Sequence, residues 1–228
     1  MNIKFSKIID LSLPIDITMA TYPGETILYR PVKVMPKDKY NIQTMHIFTH
    51  TGTHFDAPWH VIEDGRKLDA YPLEQFIASC IKIDLTKHKK ELSRCGASFY
   101  LKVIEKRHLQ EYDNRIRQAE AIVLHTGYGD VMKLGRQFID LEFPYLTEEA
   151  ARYLAQFTSL KIIGIDSLTI DKHESQDAHK AILAKTDILI LETLTNLEQL
   201  PDNFTLLCMP LRVKEADGAP CRAFALIE

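Results

Sequence analysis

The sequence predicts a mixed α/β fold, with a closed or barrel-like sheet flanked by helices, as a single domain over residues 1–228. Three observations predict it. The first third of the chain reads as strands and turns, the middle alternates helix with strand, and the tail returns to strand. A purely doubly wound sheet would alternate throughout.

Apolar or β-branched runs at Ile8–Leu13, Pro31–Met35 and Asn41–Thr49 are strands, with Tyr22-Pro23-Gly24 a turn between the first two. Ile81–Leu85 is a further short strand. From Glu105 to Gln118 the chain is rich in Glu, Lys, Arg and Gln, with Ile104, Leu109, Tyr112 and Ile116 at mostly helical spacing. This segment is expected to be one exposed amphipathic helix. Ala121–Leu124 is a buried strand running into His125-Thr126-Gly127. Thr147 caps a helix reaching about Gln156, with Glu148 and Glu149 in its first turn. A strand Lys161–Ile165, a helix Asp177–Leu183 and a strand Ile188–Leu191 follow, and Leu206–Pro210 and Ala223–Ile227 end the chain as strands.

With 28 basic against 31 acidic residues the net charge is −3, without the basic excess of a nucleic-acid binder. No run approaches the ~20 apolar residues of a membrane span. Cys80, Cys95, Cys208 and Cys221 form no CxxC pair, which excludes zinc ribbons and thioredoxin-type motifs; they read as reduced thiols packed in the core of a cytoplasmic protein. No GxSxG elbow is present, which disfavours a serine hydrolase.

One stretch carries chemistry. Residues 50–60 read HTGTHFDAPWH, so that His50, His54, Asp56 and His60 fall within eleven residues. On an ideal strand they would share a face. A straight strand would nevertheless hold His50 and His54 roughly 13 Å apart, whereas ligands of one ion converge to about 2.0–2.2 Å from it. Thr51-Gly52-Thr53 and Pro58 are poor helix material. A bend at Gly52 remains, folding His50 back beside His54 with Asp56 on the same side. Pro58 then stiffens the exit and helps to place His60. Imidazole with carboxylate suits Zn²⁺, and also Mn²⁺ or Fe²⁺. The alternative for any one of these histidines is a hydrogen-bonded structural role.

The stretch closely resembles the HxGTHxDxPxH signature of the cyclase family of metal-dependent hydrolases, which includes bacterial kynurenine formamidases and isatin hydrolases. Tyr22-Pro23-Gly24, Leu124–Gly127, Ile163–Ser167, Leu211-Arg212-Val213 and Ala216–Pro220 resemble further segments of that family. The resemblance implies a swivelling β/β/α fold and one or two divalent ions per chain. His50, His54 and Asp56 would hold the first ion. Asp56 would bridge to a second ion held by His179 and Glu192, and His60 would be the general acid/base. It implies hydrolysis of a small amide or cyclic amide, arylformamidase-like and in tryptophan catabolism, by a homodimer or homotetramer. Tyr22, Phe55 and Trp59 would form an aromatic wall, with plain core packing the equal alternative for Phe55 and Trp59. Asp177-Ala178-His179 stands where the family commonly has Pro-Ala-His, and His173 is a rival ligand in the preceding loop. A metal-dependent lactonase, and a non-catalytic metal- or ligand-binding protein, are the alternatives.

Overall fold

The computed structural model describes residues 5–88, 91–96, 98–139, 142–184 and 186–228. Its strands are β1 (Lys7–Asp10), β2 (Leu28–Lys33), β3 (Ile42–His46), β4 (His54–Asp56), β5 (Ile77–Asp84), β6 (Leu92–Cys95), β7 (Ser98–Leu101), β8 (Val103–Ile104), β9 (Ala121–His125), β10 (Tyr145–Leu146), β11 (Ile162–Ile165), β12 (Leu189–Glu192), β13 (Asn203–Pro210) and β14 (Gly218–Ile227). The helices are α1 (Lys106–Gln110), α2 (Asp113–Ile116), α3 (Gly129–Met132), α4 (Glu148–Leu154) and α5 (Asp177–Leu183).

Seven strands close a ring in the order β14-β13-β5-β9-β11-β12-β4, with β4 returning to β14; β1 pairs beyond the ring with β14. Four neighbouring strands, β5, β9, β11 and β12, run parallel. They are covered on both faces, which explains their near-continuous apolar runs. Side chains on alternate positions enter two different cores. One set fills the ring interior: Ala78, Cys80, Ala121, Val123, Leu189, Leu191, Cys208, Ala223 and Ala225, with Phe55, Phe76 and Phe204. Many are small, as a narrow barrel requires. The other set, including Ile83, Ile122, Leu124, Ile163, Ile165 and Ile190, lies outside the ring beneath Leu109, Ile116, Leu154 and Ile182 of the helices.

Closure depends on β4, only three residues long. It pairs antiparallel with β12 on one side, with His54 opposite Glu192 and Asp56 opposite Ile190. On its other side it pairs with the start of β14, with His54 opposite Pro220 and Asp56 opposite Gly218. The far half of β14 is thereby freed to pair with β1.

Two expectations need correction. Residues 105–118 do not form one helix. α1 and α2 are separate: Tyr112, whose hydroxyl donates to the Asp84 carbonyl at 2.9 Å, has φ −98° and ψ 2°, outside the helical range, and breaks the run between them. Nor is the segment simply exposed, since Leu109, Tyr112 and Ile116 are buried. The α4 cap is as expected: Thr147 Oγ1 accepts the Ala150 N–H at 3.3 Å. All four cysteines are free thiols. Among the described residues no helix is long and apolar enough to cross a membrane.

A Cβ at Gly218 would lie 2.4 Å from the Phe55 carbonyl oxygen and 2.9 Å from His50 Cε1. Gly218→Ala is therefore expected to strain the β4–β14 seam by about 1–3 kcal/mol. Calorimetry should show the thermal midpoint lowered by roughly 2–12 °C.

Candidate metal centre and cleft

Each residue of the HTGTHFDAPWH stretch has an assignable task. The Thr51 hydroxyl accepts the Phe48 N–H at 2.9 Å and closes the turn that carries His50. Gly52 has φ +68°, and a Cβ there would lie 3.3 Å from both Ile15 Cγ1 and Met19 Cε, so conformation and crowding both require glycine. The Thr53 hydroxyl donates to the Thr193 carbonyl at 2.6 Å and accepts the Leu13 N–H at 2.9 Å. β4 then directs His54 and Asp56 out of the ring and Phe55 into it. The Ala57 N–H donates to the Asp217 carbonyl at 2.8 Å. Pro58 opens the short 3₁₀ turn Pro58–His60, where its missing N–H costs nothing.

The second half of the cluster comes from β12 and α5. Glu192 ends β12, and its Oε1 accepts the Ile170 N–H at 2.6 Å. His179 lies in the first turn of α5. Asp171 accepts the Ala178 N–H at 2.7 Å and the His179 N–H at 3.0 Å.

Asp56 is the hub. Its Oδ1 lies 2.6 Å from His50 Nδ1 and 3.3 Å from His54 Nε2, and its Oδ2 lies 3.2 Å from His179 Nε2. Glu192 faces the same nitrogens, 3.6 Å from His54 Nε2 and 3.4 Å from His179 Nε2. The ring tautomers follow from the acceptors on the outer side. His54 Nδ1 donates to the Gly52 carbonyl at 2.7 Å, His179 Nδ1 to Asp171 at 2.6 Å, and His50 Nε2 to Asp217 at 2.8 Å. Each imidazole therefore presents its other nitrogen to Asp56, the atom that a divalent ion would take. Metal-binding histidines are oriented in this way. His54 Nε2 is buried with no hydrogen-bond partner, which leaves it free as a ligand. The donor set fits a divalent ion: imidazoles and buried carboxylates, with ligand atoms of His54, Asp56 and Glu192 all within 4.8 Å of one another.

His50, Asp56 and His60 form a compact group in the same cluster; a separate group, His88, Glu91 and His108, is equally compact but chemically different. His108 Nδ1 accepts the Glu105 N–H at 3.1 Å, so Nε2 holds the proton that faces Glu91 at 3.3 Å. The His108 ring therefore offers no lone pair to a metal.

Electrostatics add to the argument. Burial lowers the His50 pKa, but the Asp56 charge and hydrogen bonds to Asp217 and Asp56 outweigh it and raise the value to about 10. His179 is likewise raised well above its ordinary value, as Asp171, Asp56 and Glu192 outweigh burial. Burial would raise Asp56, yet the neighbouring histidines hold it well below the usual carboxylate range. Without an ion, ring protons thus balance the carboxylates.

A cleft of about 280 Å³ opens onto this cluster, lined also by Tyr22, Glu25, His60, Lys172 and Gln176. The His60 side chain is 31% exposed, and its ring centroid is 4.1 Å from that of His50 and 5.5 Å from that of His179. Tyr22 lines the cleft and stacks on His173, with centroids 5.8 Å apart at 18°. His173 belongs to no compact ligand group among the described residues. Phe55 and Trp59 do not line the cleft, contrary to expectation. Phe55 lies between His54 and Asp56 on a strand, so it faces the ring interior and packs on Phe76 at 5.4 Å. Trp59 is 39% exposed beneath Lys67. His125 faces Asp84 at 3.5 Å, and the Ser167 hydroxyl donates to the Pro144 carbonyl. The sequence reading singled out neither Asp171 nor Asp217, nor the cleft residues Glu25 and Lys172.

The Cyclase family model matches residues 9–172. The chain belongs to the Cyclase family. This family member is 30% identical over 226 residues to kynurenine formamidase of Bacillus anthracis, covering 96% of this chain and 97% of that protein. It is 26% identical over 191 residues to Cyclase-like protein 2 of Oryza sativa subsp. japonica, covering 82% of this chain and 65% of the rice protein. Among solved structures it resembles a potential metal-dependent hydrolase with cyclase activity, with TM-score 0.77 and 25% identity over 97% of this chain and 98% of that one. Isatin hydrolase A of Ralstonia solanacearum shares the fold, with TM-score 0.77 and 21% identity over 97% of this chain and 92% of that one.

The ring protons give a test. A raised histidine pKa contributes stability below the unfolded value of about 6.5, which is lost as pH rises through about 10. Chelator-treated protein should therefore melt at a lower temperature near pH 10 than near pH 6.5. Zinc-loaded protein should lose less over the same range, because the ion replaces the protons.

Proposed function

We propose that this protein is a metal-dependent hydrolase of small amides and cyclic amides, arylformamidase-like in its reaction. The observation that carries the reading is the set of three imidazoles, each donating outward to an acceptor and each turning its other nitrogen to Asp56. The relatives named kynurenine formamidase and isatin hydrolase support it. His50, His54 and Asp56 would hold one ion, and Asp56, His179 and Glu192 a second. This division follows Asp56, whose Oδ1 faces the first pair of histidines and whose Oδ2 faces His179. Zinc suits the donors best, with manganese or iron as substitutes. Such an ion supplies Lewis acidity toward a carbonyl and lowers the pKa of water from 15.7 to about 7.

The chain's own residues do the rest. His60 lies at the cleft beside the cluster, part-exposed, and forms a compact group with His50 and Asp56. It takes the proton of the attacking water and returns it to the leaving nitrogen, as an imidazole beside the reacting atoms can do. The products are a carboxylate and an amine. Tyr22 supplies an apolar ring for the acyl or aryl part of the substrate. The cleft volume suits a small molecule. Free cysteines throughout fit a reducing cytoplasm.

We also assign the β2–β3 hairpin to contact between subunits of a homo-oligomer. Leu28, Tyr29, Val32, Ile42 and Met45 are each at least 43% exposed on it, and a lone two-stranded ribbon is marginal in water. Light scattering should report at least a dimer for the wild type and a smaller particle for Val32→Glu/Met45→Glu.

For the reaction, zinc-loaded protein is expected to hydrolyse N-formylkynurenine or isatin in preference to simple lactones. His60→Ala should lose about 10²–10⁴ in kcat while metal content stays constant. Full activity in that variant would remove His60 from the chemistry, and no turnover of any amide would leave a binding protein.

A further inference from the structure

Asp217 is 157 residues from His60 and 167 from His50 in sequence, yet one of its oxygens meets both. Oδ2 lies 2.8 Å from His50 Nε2 and 3.4 Å from His60 Nδ1. Its main chain holds the same loop. The Asp217 carbonyl accepts the Ala57 N–H at 2.8 Å, and the Ala57 carbonyl accepts the His60 N–H at 2.9 Å. Among the described residues the His60 ring has no other hydrogen bond.

An ionised carboxylate only accepts. The nitrogens that face it must therefore both carry hydrogen. His50 faces a carboxylate on both sides, Asp217 at Nε2 and Asp56 at Nδ1 at 2.6 Å, and Nδ1 is the nitrogen whose proton an ion would displace. For His60 the lone-pair atom is Nε2. The two histidines are thereby given different work by one oxygen: His50 is held as a ligand, and His60 is held as a base with a defined accepting atom. The same logic governs an aspartate that orients a catalytic imidazole.

We infer that Asp217 is the positioning residue that fixes the tautomer and ring orientation of His60, so that Nε2 is its proton-accepting atom. The catalytic consequence rests on the hydrolase reading above; the tautomer does not. Because Asp217 immediately precedes Gly218, the partner of Asp56 in the β4–β14 seam, ring closure delivers this carboxylate to the site.

The experiment combines spectroscopy with a double-mutant cycle on the zinc-loaded protein. Long-range ¹H–¹⁵N spectra of the histidine rings should show wild-type His60 protonated at Nδ1 with Nε2 bare. In D217N, where an amide replaces the shared acceptor, this preference should be lost. In turnover of N-formylkynurenine, D217N should lose about 10–100-fold, mainly in kcat. In a His60→Ala background the loss should be several-fold smaller, because the part that acts through His60 is gone and only the part that acts through His50 remains. D217E should recover part of the loss. A wild-type His60 protonated at Nε2 overturns the inference, whether or not D217N folds. So does a D217N loss of equal size with and without His60. If the wild type hydrolyses no amide, the hydrolase reading fails, and the ring spectra still decide the role of Asp217.

Discussion

The structure depends on a three-residue strand paired on both edges. β4 completes the ring by joining β12 to β14, and its register sets His54 against Glu192 and Asp56 against Gly218. The pleat then sorts its side chains. Phe55 enters the apolar interior and becomes fully buried, while its two neighbours face outward into a polar pocket under α5. Folding energy and site geometry thus share one element. A one-residue slip would put Phe55 in the cleft and two ionisable groups in the barrel, an exchange that burial of charge makes costly.

The polar cluster that β4 creates would be a liability on its own. Asp56, Glu192, His54 and His179 are all at most 5% exposed, and buried charges need partners. Outer hydrogen bonds donated by the rings to Gly52, Asp171 and Asp217 orient them, so the cluster is set before any ion arrives. The price is a net dependence on protons in the metal-free state. A divalent ion exchanges for those protons, which couples metal affinity to pH and to stability.

Much of this was legible in HTGTHFDAPWH. The need for convergence pointed to a bend, and Gly52 supplies it with a positive φ. Pro58 sits at the start of the turn that carries His60. The helix carrying His179 and the strand ending in Glu192 followed from periodicity, and their place in the cluster from family resemblance. The sequence concealed how short the bend is. Once His54 to Asp56 is a strand, alternation excludes Phe55 from the cleft, and an aromatic wall of three rings reduces to Tyr22. Asp171 and Asp217 could not be found by spacing. Asp171 acts as both helix cap and ring acceptor, and Asp217 reaches the site only through ring closure. An aspartate before a glycine reads first as a turn.

On the proposed reading Asp56 is shared by two ion positions, one toward His50 and His54 and the other toward His179 and Glu192. Anomalous diffraction at the zinc edge from crystals of zinc-loaded protein tests it directly. The account predicts two peaks flanking the Asp56 carboxylate, each adjoining its own pair of side chains. A peak elsewhere, or a bound ion that leaves Asp56 uncoordinated, would contradict it.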